Sequence, residues 1–157
     1  MKKVLCLLLC LLASLSFTSC SLLMLSVDDD RADKEDIFAY VKENEDLLLK
    51  CIDENDFSTI KDSAGFIQRI DVDDIGNGFV NFDCGGAGFG PETSYRGFYY
   101  SADDDMTEVW CAHCDSDSLR ESGEGYLWKE SWTNKYGDNT YYTENICGHF
   151  YYYDSSY

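Results

Sequence analysis

The hydrophobic pattern of the chain changes period part-way along. Between residues 33 and 53 the apolar side chains Ile37, Phe38, Val41, Leu48, Cys51 and Ile52 recur at three- and four-residue steps, with Lys42, Glu43, Glu45 and Lys50 between them. That spacing lays one apolar stripe along a helix. The run Asp33-Lys34-Glu35-Asp36 suits a helix start, because carboxylates there meet the positive end of the helix dipole. One amphipathic helix is therefore predicted over 33–53. From Gly65 onward the helical period is gone, and short runs rich in Phe, Tyr, Trp, Val and Ile are separated by Gly, Asn and Asp clusters. This is the pattern of strands and turns. It predicts strands over 66–72, 78–84, 95–101, 107–112, 125–132, 140–145 and 149–153, with turns at 74–78, 85–91, 103–105, 122–125 and 136–139. Connections too short for crossover helices make an antiparallel meander. The expected class is α+β: an N-terminal amphipathic helix packed on a curled antiparallel sheet of about six or seven strands.

The first 27 residues follow neither pattern. Met1-Lys2-Lys3 is a basic start, Val4 to Phe17 is apolar or small throughout, and Thr18-Ser19-Cys20-Ser21 closes the run. A basic start, an apolar stretch and small residues make an export signal, which is set aside from fold reasoning. Thr18-Ser19-Cys20 resembles a bacterial lipoprotein box, with Phe17 where that motif usually has Leu, Val or Ile; the resemblance implies a lipid on Cys20. The apolar run continues through Leu22-Leu23-Met24-Leu25. A helix of ~24 residues reaches about 36 Å, beyond the ~30 Å hydrocarbon core of a bilayer. Lipidation, an uncleaved helical anchor and cleavage with release all remain open. Each puts residues 28–157 outside the cytoplasm as one domain, with the membrane as first partner in two of the three.

Charge narrows the partners. All 30 acidic residues but only ten of the 12 basic ones follow Val27, leaving the exported part at net −20. Phosphate backbones repel such a surface, so no nucleic-acid partner is expected. Most of this acid serves solubility.

Aromatics crowd the C-terminal third. Adjacent strand residues face opposite sides, so Phe150-Tyr151-Tyr152-Tyr153 places rings on both faces of the sheet. One face is core. Tyr99, Trp128, Trp132, Tyr151 and Tyr153, beside the Gly85–Gly90 segment, are then candidates for an exposed surface that takes a peptide or glycan, since such side chains join an apolar face to a polar tip.

The stretch from Asp83-Cys84-Gly85-Gly86-Ala87-Gly88-Phe89-Gly90 through Gly97-Phe98-Tyr99-Tyr100-Ser101, together with the late Tyr151–Tyr153 run, resembles uncharacterised exported, lipoprotein-like domains of Gram-positive gut bacteria. The resemblance implies no activity.

Cysteine chemistry supplies the rival readings. Trp110-Cys111-Ala112-His113-Cys114 has the spacing of a thiol-disulfide redox centre, but the acidic Asp115-Ser116-Asp117 that follows disfavours a thiolate, where a redox centre needs a helix start. Cys111 and Cys114 with Cys147 and His149 could instead hold zinc, although Cys147-Gly148-His149 is short for a ligand pair. With Cys20 lipidated, Cys84, Cys111, Cys114 and Cys147 could form two disulfides of unspecified connectivity, leaving Cys51 as a buried free thiol. Gly86, Gly88 and Gly90 lead to Pro91 and a strand, not to the helix that a dinucleotide loop requires. The Asp-rich turns at 71–76 and 103–105 lack the ligand frame of a calcium loop. A non-catalytic binding domain without cofactor is the leading expectation, a thiol-disulfide oxidoreductase the alternative, and a zinc-stapled domain the third.

Overall fold

The structure, a computed structural model, describes residues 29–72, 78–89, 92–106, 114 and 116–157. The α+β expectation holds in outline: a seven-stranded antiparallel sheet with a few helices. The strands are β1 (Arg69–Val72), β2 (Phe79–Phe89), β3 (Glu92–Ser101), β4 (Arg120–Ser122), β5 (Gly125–Lys129), β6 (Thr140–Cys147) and β7 (Phe150–Ser156). The order across the sheet is β1-β2-β3-β7-β6-β5-β4, with every described pair antiparallel. This corrects the simple meander. The chain lays down three strands, crosses to the far edge, and returns strand by strand until β7 pairs with β3.

The single helix expected over 33–53 is instead two, α1 (Lys34–Glu43) and α2 (Glu45–Glu54), followed by α3 (Ser58–Ser63). Asn44 makes the break with φ −121° and ψ 18°, and its side-chain amide donates to the Tyr40 carbonyl at 2.8 Å. Asn competes for backbone groups in this way, which is why it ends helices more readily than it continues them. The predicted stripe survives the break. Ile37 and Val41 of α1, Leu48 and Cys51 of α2 and Ile60 of α3 all lie in one core with Val80, Phe82, Phe98, Phe150 and Tyr152 from the sheet.

The Gly-rich segment, expected as a wide loop, is mostly strand. β2 runs through Gly85, Gly86 and Gly88, paired with β3, and the register slips between Asp83 and Gly86. Gly85 has φ +108°, and a Cβ there would collide with the Asp30 backbone. Only glycine suits that combination. The close approach lets the Ala32 amide donate to the Cys84 carbonyl at 2.9 Å. Residues 29–32 are thereby fixed to the bulge, which aims the first turn of α1 at β6 and β7. Gly97 serves a second approach: it pairs with Tyr153, whose ring would meet any added Cβ at 2.8 Å.

Strand alternation puts Phe79, Tyr99, Trp128, Tyr141, Tyr151 and Tyr153 together on the face opposite the helices, where they form a second buried cluster. Met106, Cys114 and Leu119, from the connection between β3 and β4 and its end, pack against it. Hydroxyls bind that connection to the sheet. Tyr99 donates to the Met106 carbonyl at 2.9 Å and Tyr151 to Asp104 at 2.5 Å. The strand expected over 107–112 and the segment 1–27 lie outside the described residues. Among the described residues no helix is long and apolar enough to cross a membrane.

Candidate functional site

The aromatic surface expected from sequence is largely interior. Tyr99 is 0% exposed, Trp128 2%, Tyr151 3% and Tyr153 3%, so four of the five residues are core of the second face, not a docking surface. The sequence reading lacked the second layer that covers them. Trp132 is half-buried in a short 3-10 turn after β5, with the Arg120 guanidinium 4.0 Å from its ring centre.

The cysteines divide. Cys84 and Cys147 are free thiols, which corrects their expected place in disulfides, and Cys51 is free as expected. Cys84 is fully buried, and burial, with Asp83 behind it, pushes its thiol far up. A thiol held protonated in this way is inert. Burial and the neighbouring Glu45 carboxylate push Cys147 up as well. Cys114 is disulfide-bonded, its partner lying outside the described residues, as do Cys20 and Cys111. His149, two residues from Cys147, is held elsewhere: its Nδ1 lies 2.9 Å from the Ser101 carbonyl and its ring stacks on Tyr100. Among the described residues no group of three His, Cys, Asp or Glu is placed to hold a metal ion.

The strongest clustering of charge and aromatic surface lies instead where α1 begins. Lys34, its first residue, is ion-paired with Glu144 of β6. Glu144 is only 4% exposed, since positions 142, 144 and 146 of β6 all face the helix layer. Tyr142 donates its hydroxyl to the same carboxylate. A buried carboxylate is tolerable only with such partners, because removing it from water costs several kcal/mol otherwise, on the order of magnitude typical for ions. Beside it, Tyr152 of β7 donates to Asp154 at 3.3 Å, and Arg96 of β3 holds Asp154 at 2.7 Å. Burial, followed by these carboxylates, raises both the Tyr142 and Tyr152 hydroxyls well above their usual range, so both stay protonated donors.

Two concavities meet at this point. One, of about 450 Å³, is bounded by Asp33, Lys34, Arg96, Tyr142, Tyr152 and Asp154. The other, of about 530 Å³, has Lys34, Phe38, Lys42, Glu124, Glu144 and Ile146 on its walls. Both volumes fall in the range of small-molecule clefts, and Lys34 and Glu35 belong to both. A smaller hollow of about 130 Å³ on the other face, between Arg69, Asp83, Tyr95 and Tyr153, is below that range.

Compared with family profiles, with curated proteins and with solved structures, the chain matches none.

The site therefore rests on its own geometry. Sequence reasoning passed over Lys34, Arg96, Tyr142, Glu144, Tyr152 and Asp154. One signal was present: in Tyr142-Thr143-Glu144-Asn145-Ile146 the acid occupies an inward-facing position of an alternating strand. An inward carboxylate needs a cation, and only the packing of α1 names it.

Proposed function

We propose that this chain is a membrane-attached, extracytoplasmic binding module without a catalytic role, and that its ligand enters the cleft between the start of α1 and strands β3, β7 and β6. Attachment runs through a lipid on Cys20 or through an uncleaved N-terminal helix. The observation that carries the reading is the pair of concavities meeting at Lys34, lined by tyrosines and charged groups already fixed in position. Preorganised side chains lose little entropy when a ligand arrives. The net charge of −20 beyond Val27 turns such a site away from nucleic acid and toward cationic, peptide or glycan ligands. The cleft takes the place of the exposed aromatic surface of Tyr99, Trp128, Trp132, Tyr151 and Tyr153, four of which are interior.

The test is a screen of peptides, glycans and amines against the protein, read by aromatic NMR shifts. Ligands are expected to move the rings of Tyr142 and Tyr152, and Tyr142→Ala, which removes one wall of the cleft, should weaken binding about tenfold. Trp132→Ala should leave it unchanged. Shifts confined to another surface would remove the cleft from consideration.

A second reading, thiol-disulfide exchange at Cys111 and Cys114, draws support from the disulfide at Cys114. It requires insulin reduction by the parent protein and its loss in Cys111→Ser. We expect no reduction by either, since the acidic residues around the pair disfavour the thiolate that exchange needs.

A further inference from the structure

The Lys34 ammonium is surrounded by rings as well as by a carboxylate. Its Nζ lies 5.3 Å from the ring centre of Phe38, 5.6 Å from that of Tyr142 and 5.4 Å from that of Tyr152, all within the ~6 Å reach of a cation–π contact. The rings form walls, not a stack. Phe38 and Tyr152 are tilted at 55° and Tyr142 and Tyr152 at 61°, with centres 5.8 and 6.5 Å apart. Each wall is fixed by something other than Lys34: Tyr142 by its bond to Glu144, Tyr152 by Asp154 and Arg96, Phe38 by its place on α1. Removing Lys34 would leave these rings held by their other partners and Tyr142 still donating to Glu144, with Lys42, 5.3 Å from the Phe38 ring centre, as the remaining cation on that ring.

Resting on the binding-module reading above, we propose that this enclosure is a receptor for a methylated ammonium group, such as that of choline, and that Lys34 is a tethered competitor that occupies it until ligand arrives. Three aromatic rings and one acid around the Lys34 ammonium, with Phe38 shared by Lys42, suit recognition of quaternary ammonium, because the rings supply negative faces and the poorly hydrated methyl groups lose little on leaving water. Lys34 is free enough to leave. Its side chain is 40% exposed against 6% for Glu144, and it lines both concavities, so its withdrawal would widen each for the body of the ligand. A short tether holds it at an effective concentration of about millimolar, so it lowers the apparent affinity for an external cation by the fraction of time the enclosure is filled.

Titration with choline, and with its uncharged carbon isostere dimethylbutanol, tests this. Choline is expected to shift the rings of Phe38, Tyr142 and Tyr152 in the parent protein, and the isostere is not. Lys34→Ala should bind choline at least about tenfold more tightly than the parent, and Glu144→Gln placed in that background should abolish the gain. Lys34→Gln, which keeps the stem and loses the charge, takes the place of Lys34→Ala should that variant not fold. Phosphatidylcholine vesicles as a second arm separate a lipid headgroup from a free amine as the source. Choline binding that is no tighter without Lys34, or equal binding of the isostere, overturns the proposal. If other ligands still engage the cleft in that case, only the ligand class falls; if nothing of any chemistry binds there, the binding-module reading falls with it.

Discussion

Phe98→Ala is expected to lower the unfolding free energy by about 3–5 kcal/mol, the range for truncating a fully buried aromatic ring. Phe98 is 0% exposed on β3, next to the middle of the sheet. Its ring stacks on Phe82 of β2 with centres 4.4 Å apart and planes 6° from parallel, and meets Phe150 of β7 at 6.3 Å. Loss of the ring thus opens a cavity at the seam between the three-strand and four-strand halves, where neither the strands nor the helices above can close in without breaking pairing. Against a typical domain stability of 5–15 kcal/mol, such a loss is a large share. Urea unfolding followed by circular dichroism measures it, with Tyr136→Ala as the control. Tyr136 is 87% exposed, and its truncation should cost less than about 0.5 kcal/mol. Equal effects of the two would mean that β3 is not at the seam.

Stability should also collapse in alkali, beginning near pH 9. Cys84 and Tyr153 are buried, and burial holds their acid forms far above the ordinary 9.0 and 10.0 of a free thiol and phenol. In the folded state both keep their protons well past these values. In the unfolded chain both lose them, so above pH 9 and then above pH 10 the unfolded state binds fewer protons and stability falls as pH rises. The loss therefore grows with every further step in pH as long as the folded state keeps these protons. Tyr142, Tyr151 and Tyr152 are raised in the same direction and steepen the loss. Urea midpoints between about pH 8 and 11 give the slope, and Cys84→Ala should make the fall above pH 9 shallower, the remainder coming from Cys51 and Cys147, which burial raises in the same direction. A step of tyrosinate absorbance is expected to accompany the unfolding transition, and its absence would contradict the burial of these rings.

Much of the architecture was legible because periodicity is local. The three- and four-residue spacing from Ile37 to Ile52 and the alternation in β2, β3, β6 and β7 each depend only on neighbours along the chain. The break at Asn44 was missed because a single side-chain bond to Tyr40 decides it, and the apolar stripe runs through it unaltered. The Gly85–Gly88 stretch was misjudged because glycine marks both loops and bulges; the approach of Asp30 and Ala32 from outside the hairpin selects the bulge.

The site was less legible than the fold. Which aromatics are covered depends on what lies over each face, and sequence alternation assigns faces without saying how many layers there are. Tyr99, Trp128, Tyr151 and Tyr153 were therefore placed together correctly but on a surface that is in fact a second core. Residue types and local order were enough for the acidic composition, the alternating strands and the helical stripe, since each follows from bonded neighbours and composition. The pairing of β3 with β7, the cover over the second aromatic face and the meeting of Lys34 with Glu144, Tyr142 and Tyr152 arise between segments far apart in the chain. Those contacts exist only once loop closure has been offset by burial of both faces, and no local pattern carries that balance.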